Sequence, residues 1–108
     1  MTSYRIFCAG PWLDRDQVQA IATKLQAAGH TITSQWVFEH PDLNPDHPDY
    51  LELIREQARQ DIEDIGKSQV VVYLNSRMSE GKATELGMAM MLVLPILVIG
   101  KPANNIYL

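Results

Sequence analysis

Val70-Val71-Val72-Tyr73-Leu74-Asn75-Ser76-Arg77-Met78-Ser79-Glu80-Gly81-Lys82-Ala83-Thr84-Glu85-Leu86 is the stretch on which the fold turns. Its first five residues form a β-branched, apolar run of the kind found in strands covered on both faces. A polar turn, residues 75 to 81, ends that strand. From Lys82 to about Leu92 the chain is rich in Ala, Leu and Met, which favours a helix. Strand, turn and helix therefore follow one another in a single short passage.

The same alternation extends in both directions. Downstream, Pro95 opens the apolar run Ile96 to Ile99, which Gly100, Lys101 and Pro102 close. Upstream, Tyr50 to Ile65 places Leu51, Ile54, Ala58, Ile62 and Ile65 on one helical stripe, with Asp61 at its edge. Before it, residues 39 to 49 hold three prolines, three aspartates and two histidines, a composition that neither helix nor strand accepts and that suits a loop or lid. Thr31 to Thr33 reads as a strand that could reach Trp36 or Val37. Val18, Ile21, Ala22, Leu25 and Ala28 mark a helix that starts at Asp14, with Asp14 and Gln17 as a capping box, and stops at Gly29. Ile6 to Ala9 is a first buried strand, ending at Gly10-Pro11.

Four strands alternating with three helices imply right-handed βαβ units. The expectation is one α/β domain over residues 1–108, with an open, mostly parallel sheet of four to five strands and helices on both faces. The tail, Asn104 to Leu108, is a candidate fifth strand at the edge, or an arm into a neighbouring subunit.

With 108 residues, 46% hydrophobic and 20% charged, the chain has the composition of one soluble domain. A net charge of −4 argues against a surface that tracks a nucleic-acid backbone. The lone Cys8 suits a reducing compartment. No signal-peptide pattern opens the chain, and the uncharged run from Leu86 to Gly100 is broken by Gly87 and Pro95, so it is too short for a membrane span. These features point to the cytoplasm, with no membrane partner.

Ligands of open α/β sheets bind beyond the carboxyl ends of the strands. Gly10, Ser76, Arg77, Ser79 and Gly81 gather at those ends. Glu85 stands in the first turns of a helix with no charge after it. The helix dipole favours its ionised form by about 0.3 to 1 kcal/mol. A held carboxylate of this kind serves as a nucleophile, although the same residue can simply complement the dipole at a solvated surface. Asp61 is a second acid, either converging on the same pocket or held by a backbone or arginine partner.

Several residues together carry a family resemblance. Ile6-Phe7-Cys8-Ala9-Gly10-Pro11, Asp61-Ile62-Glu63-Asp64-Ile65 leading into Val70-Val71-Val72, and Ser79-Glu80-Gly81-Lys82-Ala83-Thr84-Glu85-Leu86-Gly87 with Leu94-Pro95-Ile96 resemble nucleoside 2-deoxyribosyltransferases. They are similar too to the related 2′-deoxynucleoside 5′-phosphate N-hydrolases. The resemblance implies a Rossmann-like, flavodoxin-like fold, homo-oligomers, no cofactor, and cleavage or transfer at the N-glycosidic bond of a nucleoside or its 5′-monophosphate. By position it makes Glu85 the nucleophile and Asp61 the acid beside the sugar and departing base. Ser79 matches a phosphate contact in the hydrolase branch, and Gly10 and Pro11 match the turn against the ligand. Phe7 stands where relatives carry a tyrosine whose hydroxyl orients the nucleophile. Its absence leaves a non-catalytic nucleotide-binding module as the alternative, unless another hydroxyl such as that of Tyr73 substitutes.

Other residues complete the expected site. Trp12 and Trp36 follow strand ends and suit either base stacking or packing. Gly81 belongs with Ser79 to the expected substrate-binding set, and Arg77 and Lys82 can meet a phosphate or lie on a solvated surface. His40 and His47 lack paired spacing, so no metal is expected. Met88, Met90, Met91 and Leu92 cover more than one face of their helix, which implies a homodimer or larger assembly.

Overall fold

The structure is a computed structural model that describes residues 2–39 and 44–100. Its elements are β1 (Arg5–Ala9), α1 (Arg15–Ala27), β2 (Thr31–Ile32), α2 (Tyr50–Gly66), β3 (Val70–Asn75), α3 (Glu80–Met91) and β4 (Ile96–Gly100). Single 3-10 turns occupy Trp12–Asp14 and Gln35–Val37. The candidate edge strand at 104–108 and the His40 part of the lid loop lie outside the described residues.

The four described strands form one parallel sheet in the order β2-β1-β3-β4. Ile6, Phe7, Cys8 and Ala9 stand in register with Val70, Val71, Val72 and Tyr73, so the two most apolar runs of the sequence are neighbours at the sheet centre. Right-handed crossovers put α1 on one face and α2 with α3 on the other, and α2 packs against α3. The order reverses between β1 and β3, the place where α/β sheets open a crevice for ligands.

Phe7, Cys8, Ala9, Val18, Ala22, Val37, Ile65, Val71 and Ala89 form the core. Gly10 is required by that packing. A Cβ there would stand 2.5 Å from Val18 Cγ2 and 3.3 Å from the Leu74 Cβ. The close approach at this turn is thus first to α1 and β3.

Three local expectations change. The second strand stops at Ile32 instead of reaching Trp36, because Ser34 turns its hydroxyl to accept the Cys8 N–H at 2.9 Å and the chain winds into the Gln35–Val37 turn. Asp14 makes no side-chain cap to α1; its carboxylate is taken by Ser76 and Arg77. The inward stripe of α2 is rotated from the apolar one. Leu51 and Ile62 are exposed, while Gln57, Gln60 and Asp61 are half-buried and Asp64 is buried beside Ile65. A polar face turned inward is the mark of a helix that walls a cavity rather than a sealed core.

The helix ends differ in a telling way. After α1 the His30 N–H reaches Leu25 O and Gly29 supplies the left-handed residue at φ 99. After α3 the Leu94 N–H reaches Ala89 O, but the left-handed position, at φ 56, is Val93. Both are Schellman endings, and only the first has the glycine that such a φ favours.

Candidate active site

A cavity of about 230 Å³ opens at the carboxyl ends of β1, β2 and β3, lined by residues including Gly10, Trp12, Trp36, Asp61, Ser79 and Glu85. Each wall has a local cause. Gly10 ends β1 and releases the chain into the turn that carries Trp12. The turn after β2 brings in Trp36, whose indole Nε1 donates to Cys8 O at 3.0 Å. Trp12 and Trp36 stand 6.3 Å apart at 39°, two tilted rings on one side of the opening. The Arg15 guanidinium covers Trp12 at 4.8 Å, a cation over the ring face.

The α3 side is built by its N-terminus. Ser79 caps the helix, its hydroxyl accepting the Lys82 N–H at 3.2 Å. At Gly81 a would-be Cβ would meet nothing closer than Ser79 Oγ at 3.9 Å beyond its own helix backbone, so there is room beside this turn of α3. Lys82 is buried, with its ammonium 4.7 Å from the Tyr73 ring centre and donating to Arg77 O and Asn75 Oδ1. All of these partners are neutral.

Glu85 comes from the next turn of α3 and Asp61 from α2. Burial, with Asp61 beside it, pushes the Glu85 carboxyl from 4.5 up to about 8. Its Oε2 is buried without a hydrogen-bond partner. Burial likewise raises Asp61 from 3.8 to about 6, against the Gln57 side chain, which donates to it at 2.8 Å, and with a smaller push from Asp64. Two acids from separate helices thus face one space with separated protonation ranges, so over an interval of pH the pair holds a single proton.

Eight of the residues singled out from sequence line this cavity: Gly10, Trp12, Trp36, Asp61, Ser79, Gly81, Lys82 and Glu85. Phe7, Pro11 and Arg77 do not. Phe7 and Pro11 are wholly buried, Phe7 because β1 is the covered centre of the sheet. Arg77 turns away to fork onto Asp14, its Nε 2.9 Å from Oδ2 and its Nη2 3.0 Å from Oδ1, while the Ser76 hydroxyl donates to Oδ2 at 2.5 Å. The Ser76 and Arg77 hydrogen bonds hold the Asp14 carboxyl below its usual range. Tyr73 does not replace the missing tyrosine of β1: its hydroxyl donates to Asn75 Oδ1 at 2.7 Å. Gln57 was not singled out, although its four-residue spacing from Asp61 on a helix was the available signal. Among the described residues no three acidic, histidine or cysteine side chains gather to hold a metal, and no helix is long and apolar enough to cross a membrane.

No protein-family model matches the sequence, and no protein of curated function matches it either. Among solved structures, the chain is similar to a 2-deoxyribosyltransferase from the psychrotolerant bacterium Bacillus psychrosaccharolyticus, described as a biocatalyst for nucleoside synthesis. The TM-score is 0.65 at 20% identity, over 93% of this chain and 77% of that one. What this likeness establishes is architecture: this chain has the α/β, flavodoxin-like fold of a 2-deoxyribosyltransferase.

Proposed function

We propose that the chain cleaves or transfers at the N-glycosidic bond of a nucleoside or nucleoside 5′-monophosphate, with Glu85 as nucleophile and Asp61 as acid. The observation that carries this reading is the meeting of these two carboxyls in one cavity beside two tryptophans. In the first displacement a Glu85 oxygen bonds to the anomeric carbon. The C–N bond breaks with its electron pair on the base, and Asp61 gives that base a proton. In the second, water or another base attacks the same carbon and frees Glu85. A proton from the attacking group returns to Asp61. Two displacements retain configuration, as for paired carboxylates in retaining glycosidases.

Lys82 favours the monophosphate among these substrates. It is a buried cation with neutral partners, next to Gly81 in the first turn of α3, where the space at a would-be Cβ is open. An anionic group there gains both the charge and the helix-end N–H donors.

The chain is proposed to act as one domain over 1–108, in the cytoplasm, without cofactor, as a homodimer or larger assembly. Ile62 on α2 and Met91, Leu92 and Val93 at the end of α3 are exposed apolar residues on the elements of one sheet face. A second copy covering them is the bland use of such a patch. Sedimentation velocity tests it: Met91→Lys with Ile62→Lys gives a monomer if that face is shared, and an unchanged profile removes the assignment.

The decisive experiment incubates the protein with nucleosides and their 5′-monophosphates, ribo and deoxy, with and without an acceptor base, beside Glu85→Gln. Base release or exchange that Glu85→Gln abolishes supports the reading. Binding without turnover by the native protein supports the second one, a non-catalytic nucleotide-binding module, which the unpartnered Glu85 oxygen and the phenylalanine at position 7 favour.

A further inference from the structure

Two glutamine–aspartate pairs run side by side along the inward face of α2. Gln57 donates to Asp61 at 2.8 Å, and Gln60 donates to Asp64 at 2.9 Å. The first pair faces the cavity. The second does not, and Asp64 is 1% exposed. A carboxylate so far from water is costly unless donors surround it, and here two of its three donors come from outside its own helix. The Gln35 N–H donates to Oδ2 at 3.0 Å and the Gln35 side-chain amide to Oδ1 at 3.2 Å. Gln35 is the first residue of the turn whose second residue is Trp36.

We propose that Asp64 is a positioning residue for substrate, which pins the Gln35–Val37 turn to α2 and so fixes the Trp36 wall of the cavity one helical turn from Asp61. The substrate part of this proposal rests on the function given above; the placement of Trp36 does not. The turn has two anchors. On the sheet side Trp36 Nε1 holds Cys8 O and Ser34 Oγ holds the Cys8 N–H. On the helix side Asp64 takes both the backbone and the side chain of Gln35. Without the second anchor, the ring keeps one hydrogen bond and loses the contact that sets its distance from the acid. The charge of Asp64 also reaches Asp61 along the helix, adding to the burial that keeps that acid protonated to higher pH. The acidic groups acting around Asp61 are Asp64 on its own helix and Glu85 from α3, while Gln57 is its hydrogen-bonding neighbour.

The test uses Asp64→Asn and Asp64→Ala in a Trp12→Phe background, so that Trp36 alone fluoresces. The expected result is a red-shifted emission and about a threefold rise in acrylamide quenching for folded Asp64→Ala, with Asp64→Asn between it and the parent. With 2′-deoxyadenosine 5′-monophosphate as probe in the Trp12-containing protein, Kd or KM rises about tenfold while kcat changes less, and the acid limb of the rate moves to lower pH. Unchanged Trp36 emission and quenching in both folded variants overturns the proposal whatever the substrate. A native protein that neither binds nor turns over the probe, yet shows the Trp36 changes, sinks the assigned function and leaves the anchor standing. If Asp64→Ala does not fold, Asp64→Asn alone decides on the same readouts.

Discussion

The negative charge of Asp61 opposes ionisation of Glu85 within one cavity, so the two carboxyls lose their protons in order, Asp61 near 6 and Glu85 near 8. Between those values the pair holds one proton, which the deeper burial of Glu85 favours on Glu85. Double displacement needs it on Asp61. The productive arrangement is therefore the minor tautomer of the empty site, favoured once positive charge develops at the anomeric carbon.

A bell-shaped pH dependence follows for kcat/KM. Below about 6 both acids are protonated and no nucleophile exists; above about 8 both are ionised and no acid remains. The expected limbs lie near those two values. Initial rates of base release from pH 4.5 to 9.5 check this, and a rate still rising at pH 9.5 would show that no acid is needed.

Glu85 should also cost stability. Its pKa in the folded chain lies above the ordinary 4.5, so the unfolded chain releases this proton at lower pH than the folded one does. Stability falls as pH rises from 4.5 towards 8 and levels off beyond. Glu85→Gln, which cannot ionise, should melt higher than the native protein at pH 8.5, with the difference shrinking towards pH 4. Melting curves at several pH values measure it; a constant offset between the two proteins would mean that the carboxyl ionises alike in both states.

How far the sequence carried this picture depends on what each residue answers to. β3, α3 and β4 were readable because β-branched runs and an Ala/Leu/Met helix answer to local preference. The rim of the sheet was readable from topology, and with it Gly10, Ser79 and Glu85. What stayed hidden was set by partners distant in the chain. Arg77 looks free for a phosphate until Asp14, 63 residues away, takes its fork. The α2 stripe misled because apolar spacing identifies a core-facing side only where that side is dry. Here it is polar, with Gln57 and Asp61 on the cavity and Gln60 and Asp64 hydrogen-bonded to each other, while Ile62 faces out.

Val93 offers a simple gain. A β-branched residue at φ 56 carries strain of roughly 1 to 2 kcal/mol. Glycine removes it but loses about 0.5 to 1 kcal/mol to unfolded-chain entropy. Val93→Gly should therefore raise unfolding stability by about 0.5 to 1 kcal/mol. Urea titration reads this directly, and a lower midpoint would show that the exposed side chain of Val93 is held by contacts worth more than the strain.

Two glycines of the cavity separate packing from binding. At Gly10 an added methyl meets the stiff, branched Val18 at 2.5 Å, and neither α1 nor β3 can retreat without disturbing the core. Gly10→Ala should cost about 1 to 3 kcal/mol of stability. Gly81 lies in the first turn of α3 with open space around it, so alanine fits and helix propensity makes it neutral or stabilising by up to about 1 kcal/mol. Its effect should fall on the ligand instead, because the methyl stands where a phosphate would approach the backbone N–H groups. The expected outcome for Gly81→Ala is an unchanged or higher melting temperature together with a KM for nucleoside 5′-monophosphates raised by about tenfold, and little change for the corresponding nucleosides. Equal losses for both substrates would place the phosphate elsewhere, and with it the role given to Lys82.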